Sequence, residues 1–143
     1  MHRAESILSV LETTLGGLAT TGANVARGRV WPVENSPSIT IYKDSDLASE
    51  NQEVLDTLVR ELNFNVEIHL TAPGNPETTL NQIAAEIYAV LNVDITLGLS
   101  YVFDCALVGD SAPEIEASQD LPVARMVSAW VVLYEHSKGS AEA

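Results

Sequence analysis

The chain has one cysteine, seven lysines and arginines, and no long apolar run, and each shortage excludes something. Cys105 cannot close an internal disulfide, and there is no cysteine cluster for zinc. Buried packing is its expected role, because a reactive thiol needs a basic partner and none lies near it in sequence. Against 20 acids, the seven bases leave a net charge of −13 over 143 residues. A phosphate-binding surface is therefore not expected, since lysine and arginine supply most nucleic-acid affinity. Such a charge serves solubility, and an acidic wall would also keep a passing duplex from adhering. No apolar run reaches the roughly 18 residues of a membrane span, so no membrane partner is expected. The opening "MHRAESILSVLETTLGG" is interrupted by Glu5, Ser6, Ser9 and Glu12. It makes a poor export signal, and a product made in the cytoplasm is expected.

Groups that perform chemistry are equally sparse. His2, His69 and His136 are far apart in sequence, and none has a second ligand at metal spacing. Surface positions are expected for all three. Glu114 and Glu116 share a strand face and form at most a weak cation site; a solvated acidic loop is the simpler reading, as it is for Asp44 and Asp46. Gly16–Gly17 follows a helix and lacks the remaining residues of a phosphate loop or a dinucleotide turn. No serine sits in a G-x-S-x-G elbow. The sequence offers no catalytic, cofactor-binding or metal-binding residue, so no enzyme and no cofactor are expected. The rival from another class is a small ligand-binding domain, or an enzyme whose site is assembled in space.

What the sequence does have is clear periodicity. Ile7, Leu8, Leu11, Leu15 and Leu18 follow one helical face between Arg3 and Leu18, which Gly16 and Gly17 end or fray. A short strand broken at Gly28 fits "ANVARGRVW", and a loop bracketed by Pro32 and Pro37 follows. Ser38–Lys43 is a strand, and Asp44–Gln52 is expected to be a mobile acidic loop. "ELNFNVEIHL" alternates without a fault, placing Leu62, Phe64, Val66, Ile68 and Leu70 on a dry face. Its wet face carries Glu61, Asn63, Asn65, Glu67 and His69. The strand spans Asp56–Thr71, with Arg60 interrupting its dry parity and a helical turn over "NQEVLDTLVR" as the competing reading. Asn75, Pro76 and Glu77 start a helix whose core stripe is Leu80, Ile83, Ala84, Ile87 and Leu91. Burying its four large aliphatics contributes on the order of 6–12 kcal/mol before entropy is counted. "SYVFDCALVGD" is apolar on both parities and reads as a strand covered on both sides. A short extended piece is expected at Glu114–Ala117, and a final strand at Pro122–His136.

These elements predict an α+β fold: a mostly antiparallel, mixed sheet with two main helices packed on one face. Residues 1–137 form a single domain and 138–143 a disordered tail. Large side chains and bases are the candidate contact groups. Trp130 belongs to the most apolar run and is expected in the core, whereas Trp31 lies in a loop and suits an interface. Arg27, Arg29 and Arg125 suit either a neighbour's acidic loop or internal salt bridges.

The order of the segments also follows a pattern. Gly22, Ala23, Gly28 and Arg29 fit a G-A-x-x-x-x-G-R stretch after the first helix. Pro37, Ile39, Ile41 and Tyr42 fit a P-x-[IV]-x-[IV]-Y strand, and Glu61–Ile68 a strand of the type E-L-x-[IFV]-x-[VI]-x-[IVF]. The chain closes on "SAWVVLYEH", an apolar strand ending in Tyr134 and Glu135. Over nearly its whole length the sequence resembles the tail terminators, minor tail proteins of the lambda type from long-tailed bacteriophages. It departs from them in "DSDLASENQEVLDTLV" and "LVGDSAPEIEASQDLPVA".

The resemblance implies a non-catalytic virion protein of the tail–neck junction, related in fold to tail-tube subunits and assembled as a hexameric ring. Such a ring sits on the tail tube, stops its growth, and meets the head-side connector or stopper protein, while double-stranded DNA passes through the lumen. The alternative in the same class is another neck or tail-completion protein. A chain of this size is about 30–35 Å wide, and six such bodies leave a hole that admits a duplex. Ring closure needs different patches on the two sides of each subunit. Arg27, Arg29 and Trp31 facing acidic residues of the 44–53 loop, such as Asp44 and Asp46, make one such pair. Tyr42, Glu61, Glu67 and Arg125 complete the expected subunit or tube interface, with the wet face from Glu61 to His69 lining the bore or meeting the tube.

Overall fold

Alternation in the long strands and a 3.6-residue stripe in the helices build two layers in the computed structural model. It describes residues 2–22, 25–28, 37–48, 57–71, 76–116 and 123–137. The elements are α1 (Arg3–Leu15), β1 (Val25–Arg27), β2 (Ser38–Ala48), β3 (Thr57–Thr71), α2 (Pro76–Leu91), β4 (Val102–Asp110), β5 (Glu114–Glu116) and β6 (Val123–Ser137). The sheet order is β1-β2-β3-β6-β4, with β5 also paired to β6. Only β1–β2 is parallel; every other pairing is antiparallel. Both helices pack on one face, as the sequence predicts.

The core lies between the layers. Ile7, Leu11 and Leu15 of α1, with Leu80, Ile83, Ile87 and Leu91 of α2, are fully buried. They meet Ile39, Ile41, Leu62, Phe64, Val66, Ile68 and Val132 from the sheet. Trp130 stacks on Phe64 at 6.5 Å between ring centroids and is tilted against Tyr88 of α2 at 6.2 Å. Its indole N–H donates to Ser128 Oγ at 2.8 Å, which satisfies the one polar atom of a buried ring. Helix α1 begins where His2 Nδ1 accepts from the Ala4 N–H at 3.0 Å and ends at Gly16, whose N–H returns to the Glu12 carbonyl. Arg3 holds the start of α1 over the sheet, stacking on Tyr101 and donating to the Glu135 carbonyl.

Several expectations change. The strand expected to stop at Lys43 runs to Ala48 past a bulge between Lys43 and Ser45, so 44–48 is not a loop. Pairing with β3 extends it: polar side chains do not stop a ladder made by the backbone, and this stretch has partners across the strand. Among them, Asn63 donates to Ser45 at 3.1 Å. From Thr57 onward the helical alternative is replaced by β3. Strand β4 is not covered on both sides. Bulges between Val102 and Asp104 and between Leu107 and Gly109 turn Phe103 and Val108 outward, 48% and 64% exposed. The helix start at Asn75 and the tail 138–143 lie outside the described residues.

Cys105 sits in the core beside Val132 on β6, and burial pushes its thiol up to about 12 from 9.0. The neighbouring Asp104 adds to this rise. Its thiolate fraction near neutral pH is lower than that of a free cysteine by about a thousandfold. Maleimide labelling of the native protein should slow by about that factor and reach the free-thiol rate only on unfolding. Rapid labelling of the folded chain would show that this site opens.

Candidate functional site

Two surfaces gather the residues singled out by the sequence. The first is the sheet face away from the helices. On β3 it presents Glu61, Asn63 and Asn65, half-exposed, beside the half-buried Val127, Ala129, Val131 and Leu133 of β6. The wet face does not continue to the end of the strand. Glu67 and His69 are each only 7% exposed, opposite the buried Thr40 and Ser38 of β2. The expectation of a surface His69 is therefore corrected, and Glu67 and His69 leave the solvated part of this face. Alternation reports which way a side chain points and is silent about what covers it. The burial is tolerated because Glu67 has a guanidinium partner, Arg125, at 3.0 Å. Arg125 also reaches Glu114 at 2.6 Å, and Glu114 holds its ionisation above the usual value. Glu114 is thus an ion-pair partner and not a free carboxylate for a cation. The side chains of Glu116 and His136 lie outside the described part.

Burial lowers the pKa of His69; Arg125 lowers it further and Glu67 opposes them. The imidazole is neutral in the fold near pH 7. The unfolded chain then binds the extra proton first, so stability falls as pH drops below about 6.5 toward the lower folded value. The slope reaches at most about 1.4 kcal/mol per pH unit for one proton. Glu5, Glu86 and Asp94 have lowered pKa values and act at more acidic pH. Urea midpoints between pH 7 and 5 should therefore decline in the wild type and flatten in His69→Gln. An unchanged pH dependence in that variant would remove His69 as the source.

The second surface is a cleft of about 570 Å³ between the first turn of α1 and the β1–β2 edge of the sheet. Its floor includes Leu8 and Ile41, and its charged rim is Arg27, Lys43 and Arg60 against Glu5 and Asp46. Arg27 lies on Glu5 at 3.1 Å and lowers the carboxyl's pKa. Arg60 donates to the Asp46 carboxylate at 3.1 Å and to its carbonyl at 3.0 Å. Tyr134 donates to the same carboxylate at 2.8 Å. This explains Arg60 on the dry parity of β3: the bulge after Lys43 turns Asp46 to the helix side, where Arg60 and Tyr134 meet it. Tyr134 is held above its ordinary pKa, first by burial and then by Asp46.

The structure thus brings Arg27, Tyr42 and Asp46 to one cleft, and leaves Glu67 and Arg125 paired on the opposite face of the sheet. Asp44 is exposed at the bulge and Glu61 is half-exposed. Arg29 and Trp31 lie outside the described residues. Because Arg27 and Asp46 of one chain share a cleft, they are not the two opposed patches of a head-to-tail contact. Sequence reasoning missed Lys43 and Glu5. A charge on a dry strand parity, as at Arg60, was the available signal that a buried acid must face it.

Among the described residues no group of three or more His, Cys, Asp or Glu is placed to hold a metal, and no helix is long and apolar enough to cross a membrane. No protein-family model matches the chain, and no curated protein matches it in sequence. Among solved structures it is similar to a chain of the "Virion of native gene transfer agent (GTA) particle". The two are 12% identical with a TM-score of 0.55, over 94% of this chain and 90% of that one. At that identity the likeness shows a shared fold: this chain is built like a component of that virion.

Proposed function

We propose that the protein is a non-enzymatic structural component of a phage-like virion, and more specifically a tail terminator. In this reading it forms a hexameric ring at the tail–neck junction, caps the tail tube, meets the head-side connector or stopper protein, and lets DNA pass through its lumen. The observation that carries the reading is the near end-to-end fold likeness to a virion component, found for a chain whose segment order already resembled the terminators.

The electrostatics support it. On the sheet face away from the helices, Arg125 is the one lysine or arginine among the described residues, and Glu67 and Glu114 neutralise it. A face of Glu61, Asn63 and Asn65 has no cation with which to hold phosphates, which suits a bore that DNA must traverse. Asp44 and Glu61 remain as solvent-facing groups for a tube or subunit contact.

The test is arrest of tube growth. Purified protein added to polymerising tail tubes should shorten them and appear on their head-proximal ends. Tubes that elongate at the same rate and to the same length would overturn the terminator role.

A further inference from the structure

One row of the sheet ends in a large exposed apolar side chain at each edge. Leu47 is opposite Glu61, Glu61 opposite Leu133, and Leu133 opposite Asp104. The first bulge of β4 sets Phe103 beside Asp104 in that row, because a bulge places two residues against one. The next row holds Leu62, Val132 and Cys105, all in the core. By alternation, Leu47 and Phe103 therefore both lie on the face away from the helices. Leu47 is 56% exposed and Phe103 48%.

Both edges are open at that row. Strand β1 pairs with Ile39–Ile41 of β2, and β4 pairs with β6. Among the described residues, Lys43–Ala48 and β4 have no strand on their other side. The two edges also match in direction and level. Successive antiparallel pairings from β2 through β3 and β6 to β4 leave β2 and β4 running in opposite directions. A copy rotated about an axis along the strands therefore brings its β4 against this β2 in antiparallel sense, with no shift along the strands. Ser45–Leu47 and Asp104–Ala106 occupy the same rows, and neither stretch contains a bulge. No acid faces an acid across those rows, since Asp46 is level with Cys105 and Asp104 with Leu47.

The width of the sheet suits closure. Strands β2, β3, β6 and β4 cross this row, so the sheet is about 19 Å wide there. Six such sheets set edge to edge have a perimeter of about 115 Å and measure about 37 Å across, which leaves room for a duplex inside the side chains.

We infer that the open β2 edge of one copy pairs with the β4 edge of the next, with Leu47 against Phe103 across the seam. The two side chains become cross-strand neighbours, about 5 Å apart between Cβ atoms. This rests on the ring reading above and names its subunit contact: each sheet continues its neighbour's, and the faces away from the helices line the bore.

Disulfide cross-linking tests it. Leu47→Cys and Phe103→Cys alter side chains that are half-exposed, and the native Cys105 is buried and does not compete. The contact joins unlike edges, so neither variant oxidised alone should give a disulfide dimer, and the two mixed should give one. Carried together in one chain, they should lock the ring into a covalent hexamer. Within a chain the two positions are three strand spacings apart, about 14 Å, too far to bridge. Val108 is the control. It is exposed at the same edge, but its bulge lies in the row of Ala129, Asn65 and Tyr42, about 13 Å along the strands from Leu47. Leu47→Cys mixed with Val108→Cys should link at least about tenfold more slowly. Native mass spectrometry reads the wild-type ring, and non-reducing gels read the links. Dimers from the first mixture, and from neither of its variants alone, support the contact. A wild-type ring whose first mixture gives no dimer, whose single variants give dimers, or whose Val108 mixture links as fast overturns the contact and leaves the ring standing. A wild type that forms no ring, either alone or on tail tubes, overturns the ring reading and this contact with it.

Discussion

Trp130→Ala should lower the unfolding free energy by about 3–5 kcal/mol, the largest effect expected of any single substitution here. A domain of this kind has only about 5–15 kcal/mol in total, so the variant should be partly unfolded at physiological temperature. The cost has three sources. The indole is 1% exposed, and its removal leaves a cavity between β6 and α2. The stacked contact with Phe64 is lost, and with it the packing that joins β3 to β6 at mid-sheet. Ser128 Oγ, itself buried, loses its indole donor. Trp130→Phe keeps part of the packing and should cost less than half as much. Urea denaturation followed by far-ultraviolet circular dichroism measures both, and a loss below about 1 kcal/mol for the alanine variant would mean that the core is packed differently.

Asp46→Ala should cost about 2–4 kcal/mol through electrostatics. The Asp46 carboxylate lies between the Tyr134 hydroxyl, on a fully buried residue, and the partly exposed Arg60. Removing the acid takes from the buried hydroxyl its bonds to the carboxylate and from Arg60 its charged partner. Solvent reaches Arg60 and lessens its share, so the penalty falls below that of a fully enclosed pair. Adding Tyr134→Phe to Asp46→Ala should cost less than the sum of the two single changes, because both remove the same hydroxyl–carboxylate bonds. Strict additivity of the two changes would show that the hydroxyl and the carboxylate are not coupled. Asp46 also lines the cleft, so the double variant reports whether the cleft wall survives without its carboxylate.

Much of the architecture was legible because burial leaves a period in the sequence. The stripe from Leu80 to Leu91 gave α2, and the alternation from Leu62 to Leu70 gave the centre of β3. The order of the strands was not legible, because β6 inserts between β3 and β4 and pairing across such distances leaves no local signal. Nor were the bulges. One extra residue after Lys43 brings Asp46 to the helix side, and another turns Phe103 out of a strand that is apolar on both parities. The cleft wall at Asp46 depends on the first bulge, so it could not be read from composition or spacing. Glu67 and His69 show the converse: alternation placed them on the outer face correctly and gave no hint that this part of the face is dry.

The proposed role depends on shape, on copies of an inert domain closing around an opening. Cryo-electron microscopy of intact particles, with this chain marked by antibody, tests that most directly. The expected image is a six-fold annulus of 15.4 kDa subunits at the head-proximal end of the tail tube, with an axial hole wide enough for duplex DNA. The chain found elsewhere in the particle, absent from it, or present there as single copies would contradict the proposal.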